Sequence, residues 1–187
     1  MTHKFYAPIE FEGESITEID LSGMAELTGQ DLVDAQEKLP AASVVSVPVD
    51  TDVDFITWLL QKATGMPLEF FWALPDLEWN TLQAAALRVM LDAGEVPKEI
   101  PEEKYTARAM AKIQKKLTLL QNILNFPANN INYCLNVYAA LSETPLEEIL
   151  EGRAGTAMMI FVIARNHFFG LGRLAAEKSR QSSGATA

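Results

Sequence analysis

Two residue periods succeed one another along this chain. Ile9 and Phe11 alternate with Glu10 and Glu12, and Ile19 and Leu21 alternate with Glu18 and Asp20. A period of two puts neighbouring side chains on opposite faces of a strand. The run Ile9 to Leu21 therefore predicts a β-hairpin with one apolar and one carboxylate-rich face. Its turn falls in Glu12-Gly13-Glu14-Ser15, where Gly13 is suited to a positive φ. So small a sheet is stable only if its apolar face lies on other elements.

From Leu27 the period becomes helical. Thr28 is an N-cap residue and Asp31 stands three positions on, a variant of the capping box; Leu27 and Leu32 have hydrophobic-staple spacing. Leu32, Ala35 and Leu39 share a face, and Pro40 ends the helix. Ala41 to Asp50 is a break. Asp52 caps a helix bearing Phe55, Ile56, Leu59, Leu60 and Ala63 on one side, with Gly65 at its C-terminal end. A short helix follows Pro67, and Asp76 caps another that stops at Gly94. Glu95 to Glu103, with two prolines, reads as a linker. Beyond it Ile113, Leu117, Leu120 and Leu124 mark a long helix stopped by Pro127. Asn129 or Asn130 caps a helix with Ile131, Leu135, Tyr138 and Leu141 in line. Thr144 and Glu147 form a second capping box around Pro145, and a last helix runs from about Thr156 to Lys178.

The prediction is a mainly α protein: an N-terminal β-hairpin packed on a multi-helix body, followed by an α-helical second half. In domains it reads as residues 1–94 (hairpin and helices), a linker 95–103, a helical domain 104–178 and a disordered tail 179–187. An internal similarity crosses that division. Aligning Pro67 with Pro145 sets Phe55 against Tyr133, Leu59 against Val137, Leu60 against Tyr138 and Leu82 against Ile160. Two helix–PLE–helix units are one reading; a shared preference for Pro-Leu-Glu at helix starts is the other.

Composition adds that the core is sizeable, since 49% of the 187 residues are hydrophobic and 21% charged. The net charge of -10 is uneven. Residues 1–97 hold 17 acidic and 4 basic side chains, a balance of -13; residues 98–187 hold 8 and 11, a balance of +3. Phosphate backbones are repelled by such a first half, which argues against nucleic-acid binding. The single cysteine, Cys134, has no internal disulfide partner and reads as a small buried hydrophobe in a reducing compartment. The N-terminus carries no apolar signal core, and the most apolar run, Ala157 to Ala164, is far shorter than the roughly 18 residues of a membrane span.

Candidate chemistry changes the picture little. Gly170 to Ala175 (GLGRLA) follows an apolar helix, whereas a dinucleotide loop needs a preceding strand. Asp50 to Asp54 lacks the glycine and final glutamate of a calcium loop. His3 and His167 are the only histidines, and no zinc spacing occurs. Glu10, Glu12 and Glu14 share a strand face and read as solvated. No cofactor is expected and no enzyme activity is read from these residues. The aromatics suggest protein contact instead. Phe70, Phe71 and Trp72 are consecutive between Trp58 and Trp79, and one helix face cannot bury all three consecutive rings. Packing Leu68, Phe71 and Trp72 inward points Phe70 outward, which favours a partner surface; a second core layer from the C-terminal half is the alternative. Lys112, Lys115 and Lys116, in a basic helical run, are candidates for an acidic protein partner, or simply a solvated face.

The segment PIEFEGESITEIDLSGMAELTGQDLVDAQEKL resembles the opening of the tail assembly chaperones of tailed bacteriophages, with an acidic strand pair and an LTG-x-DL-x-x-A helix start. The next segment, DFITWLLQKATGMPLEFFWALPDLEWNTLQAAALRVML, is similar to theirs through Gly65, Pro67, Glu69, Leu74, Pro75 and Trp79. The resemblance covers about Phe5 to Leu91. It implies a non-enzymatic chaperone that binds the tape-measure protein, helps recruit tail-tube subunits, acts in the host cytoplasm and is absent from the mature virion. Many members are made in a second, frameshift-extended form, and residues 98–187 are a candidate for such an extension. A helical oligomeric adaptor or regulatory protein is the alternative reading.

Overall fold

The computed structural model describes residues 1–40, 52–104, 106, 108–109, 112–113 and 129–166. The expected break at 41–50, most of the long helix before Pro127, and everything from 167 onward, including the tail at 179–187, lie outside the described residues. The protein is mainly α with an N-terminal two-stranded antiparallel hairpin. Strands β1 (Thr2–Phe11) and β2 (Glu14–Asp20) meet in a two-residue turn. Glu12 and Gly13 both have positive φ, 50° and 84°, as a turn matched to strand twist requires. The strand starts well before the alternation from Ile9 that predicts it, because Phe5 continues the apolar face inward.

The ladder is not regular. Between the pairs Lys4↔Glu18 and Ile9↔Ile16 lie four residues of β1 and one of β2. Pro8 falls in this bulge, where the N–H it lacks is not needed by the ladder.

After a 3-10 turn at Ser22–Ala25, α1 (Gly29–Glu37) begins at the expected capping box. Thr28 N–H donates to Asp31 Oδ2 at 2.8 Å, and Asp31 N–H donates to Thr28 Oγ1 at 3.4 Å. Next come α2 (Val53–Thr64), α3 (Leu68–Trp72), α4 (Asp76–Asp92), α5 (Ile131–Ser142), α6 (Leu146–Glu151) and a helix α7 over residues 154–166. Two caps differ from expectation. Asp76 is the first residue of α4, with Pro75 at the N-cap, and Pro145, not Thr144, is the N-cap of α6, with no side-chain cap bond at either. In both cases the rigid proline φ starts the turn, so a side-chain acceptor is not required.

The helix–PLE–helix similarity holds at the level of whole elements. Both α2 and α5 have 12 residues. Asp52 accepts from Phe55 N–H and Asn130 from Tyr133 N–H. Each helix ends on a left-handed residue, Gly65 (φ 75°) and Glu143 (φ 63°). Pro67 and Pro145 then start α3 and α6, and α4 and α7 follow at residues 76 and 154. All these pairs are offset by 78 positions.

α1 joins the two units. Its Asp31 carboxylate is bonded by Lys62 of α2. Burial pushes that carboxyl up, but the bonds from Lys62 and Thr28 hold it below the usual carboxylate value. At its other end, buried Gln36 donates from Nε2 to the Asn129 carbonyl at 2.8 Å and accepts from Ile131 N–H at 2.7 Å. One buried cluster runs through both halves, from Phe5 and Leu21 to Phe161 and Ala164. Cys134 is within it, and burial pushes its thiol up to about 12, far from a reactive thiolate.

Candidate partner-binding surface

The aromatic run on α3 divides otherwise than its spacing suggests. Phe70 is 0% exposed and Phe71 is buried, while Trp72 is 55% exposed. The expectation that Phe70 faces outward is corrected. One ring of the three does stay out, but it is Trp72. The cause is tertiary: α3 is covered on two sides, by the helical body against Phe71 and by the hairpin against Phe70. Phe5 and Phe11 stand edge-on to Phe70 at 6.1 and 5.4 Å, and Phe70 to Phe71 at 5.3 Å. Such edge-to-face pairs add to simple burial.

The remaining candidates are scattered. Trp79 is buried in the core. Trp58 is half-buried, with Lys38 Nζ 4.2 Å from its ring centroid, a cation–π contact. Lys112 is helical and exposed. Lys115 and Lys116 lie outside the described residues.

Besides Trp72, Leu77 and Tyr6 are exposed apolar side chains that periodicity alone does not single out. Leu77, just past the Pro75 turn, is 63% exposed, and Tyr6 on β1 is 74% exposed. Tyr6 is brought to α4 by the carboxylate next to Leu77. Glu78 Oε1 accepts the N–H groups of Tyr6 (2.9 Å) and Ala7 (3.3 Å), two donors that the bulge withdraws from the β ladder. Pro8 and the lost alternation after Phe5 are the sequence signal of that bulge. A buried glutamate at the third position of a helix is invisible to pattern, because acidic residues are ordinary in a first turn. Glu69 on α3 and Asp76 at the start of α4 are exposed as well.

His3 Nε2 and Glu78 Oε2 are both buried without a hydrogen-bond partner among the described residues. Burial pushes the His3 imidazole below its ordinary value, against the opposing pull of the Glu78 carboxylate. The unfolded chain therefore takes up this proton first as pH falls. Stability is full above about pH 6.5, declines as pH drops through that value, and levels off once folded His3 also protonates. Denaturant titrations at pH 7.5 and 5.5 check this. The wild type loses stability between them, and His3→Gln removes His3's share, His167 being common to both proteins. Equal slopes for the two proteins would refute it.

No group of three or more His, Cys, Asp or Glu side chains that could hold a metal ion occurs among the described residues. No helix among them is long and apolar enough to cross a membrane. No family model matches the chain, and no curated protein or solved structure matches it.

Proposed function

We propose that this chain is a non-catalytic tail assembly chaperone that binds a tape-measure protein and helps recruit tail-tube subunits. The observation that carries the reading is the exposure of three large apolar side chains, Trp72, Leu77 and Tyr6, the last tied through its N–H to Glu78 beside Leu77. An aromatic anchor on an otherwise polar surface is the usual centre of a protein contact. The Phe5–Leu91 resemblance supplies the identity of the partner, and the host cytoplasm is the corresponding site of action.

Co-expression with the tape-measure protein tests it. A soluble complex is expected, and Trp72→Ser should reduce its recovery about tenfold, an anchor loss of roughly 1.4 kcal/mol. The thermal midpoint should stay within about 2 °C, since exposed substitutions are nearly neutral. A tape-measure protein that stays equally insoluble with and without this chain sinks the proposal. The helical adaptor is the second reading, favoured by the pinning of both helical units by α1; it predicts self-association unaffected by Trp72→Ser.

A further inference from the structure

The seam between the hairpin and the helices is narrow, and it carries a histidine and a carboxylate. Of the ten residues of β1 and the seven of β2, only Phe5 and Ile19 are buried. Phe5 and Phe11 reach Phe70, and Glu78 Oε1 holds the N–H groups of Tyr6 and Ala7. The chain then passes into the helical body at Leu21, which is fully buried. An element with so few buried side chains opens locally at lower cost than the helices beneath it.

His3 lies two positions before Phe5 on the same face of β1, and its ring stands edge-on to Phe5 at 5.3 Å. Docking strips water from His3 Nε2 on the hairpin and from Glu78 Oε2 on α4, and returns a hydrogen bond to neither among the described residues. Buried polar atoms left in that state weaken the seam that holds them. The other charges close in sequence are on exposed side chains. Lys4 pairs with Glu18 across the ladder at 3.9 Å, and the N-terminal amine with Asp20 at 3.3 Å. Glu69 on α3 and Asp76 on α4 are exposed, and the 3-10 turn at Ser22–Ala25 carries no charged side chain. Glu78 is the charge that acts on His3. Its pull favours the imidazolium; burial opposes it and prevails.

We propose that the hairpin is a latch released by a proton at His3: it swings off α3 and α4 about Leu21 while the helices stay folded, and it uncovers Phe70. The released strand takes up the proton at the ordinary histidine value of about 6.5, the docked strand only at lower pH. Each pH unit below about 6.5 therefore favours release by up to tenfold, until docked His3 also protonates. Away from its seat a two-stranded hairpin has little order of its own, so the β ladder opens with it. The inference does not depend on the tail-assembly reading.

Amide hydrogen exchange of the full chain tests it, followed by NMR at pH 7.5 and 5.5 and corrected for intrinsic rates. Protection of Tyr6 and Ala7, whose N–H groups are held by Glu78, should fall several-fold between the two, with a ceiling of about tenfold for one proton. Leu60, Leu82 and Val137, inside the helices, should keep theirs. The apolar dye ANS should gain fluorescence over the same range as Phe70 is uncovered. His3→Gln should abolish both changes. Glu78→Gln leaves an acceptor for Tyr6 and Ala7 but removes the charge that favours the imidazolium, so the fall should persist in it. Equal loss of protection in hairpin and helices would make the event global unfolding and overturn the latch. So would an unchanged fall in His3→Gln, a fall that Glu78→Gln removes, or release of the hairpin without a gain in dye fluorescence.

Discussion

Replacing Phe70 by alanine is expected to lower the free energy of unfolding by about 3–5 kcal/mol. The side chain is fully buried and its ring meets those of Phe5, Phe11 and Phe71. Removal leaves a cavity at the seam between hairpin and helices, where two of the three partners belong to β1. A two-stranded sheet has little stability of its own, so the hairpin loses its main apolar seat. For a chain of this size the thermal midpoint should fall by roughly 6–20 °C. Urea unfolding followed by tryptophan fluorescence measures it, and a loss below about 1 kcal/mol would show that Phe70 is not part of the core. Trp72→Ser, two residues away, provides the contrast: little change in stability, large change in partner binding. Any binding defect of Phe70→Ala would come through the displaced hairpin.

Local physics made much of this fold legible in sequence. The capping box at Thr28 and Asp31, the Asp52 and Asn130 caps, and the glycine at 65 depend only on residues within one turn, and each stands where its chemistry requires. The paired helix–PLE–helix units were legible because two prolines and two N-caps keep one spacing. What sequence left hidden depends on covering from elsewhere in the chain. Phe70 and Trp72 are both aromatic on the same short helix; the hairpin decides between them, and no periodicity in five residues reports it. Glu78 is indistinguishable from a solvated first-turn carboxylate until the β1 bulge turns two N–H groups toward it.

Gly29→Ala is the second large effect expected, and it concerns the LTG-x-DL start of α1. Each residue there has a packing reason. The Leu27 carbonyl accepts Ala154 N–H at 2.8 Å, and Gly29 N–H donates to the Gly152 carbonyl at 2.9 Å, a strand-like bridge between α1 and the α6–α7 corner. A Cβ on Gly29 would stand 2.4 Å from the Ile149 carbonyl oxygen and 3.1 Å from both Leu150 Cα and Ala157 Cβ. The nearest atoms are backbone, so no flexible side chain can yield. Alanine is compatible with the backbone at this position and gains about 0.4–1 kcal/mol through the unfolded state. Overpacking costs about 1–3 kcal/mol or more, and here it wins, because relief requires α1 to withdraw from α6 and break the bridge. A net loss of about 1–2 kcal/mol is therefore expected, with faster hydrogen exchange at Gly29 and Ala154 than elsewhere in the core. A more stable Gly29→Ala protein with unchanged exchange at Ala154 would show that the approach of α1 to α6 is looser than this geometry. Serine, only slightly larger than alanine, should behave the same way. Their agreement would tie the glycine to close packing between the two helical units.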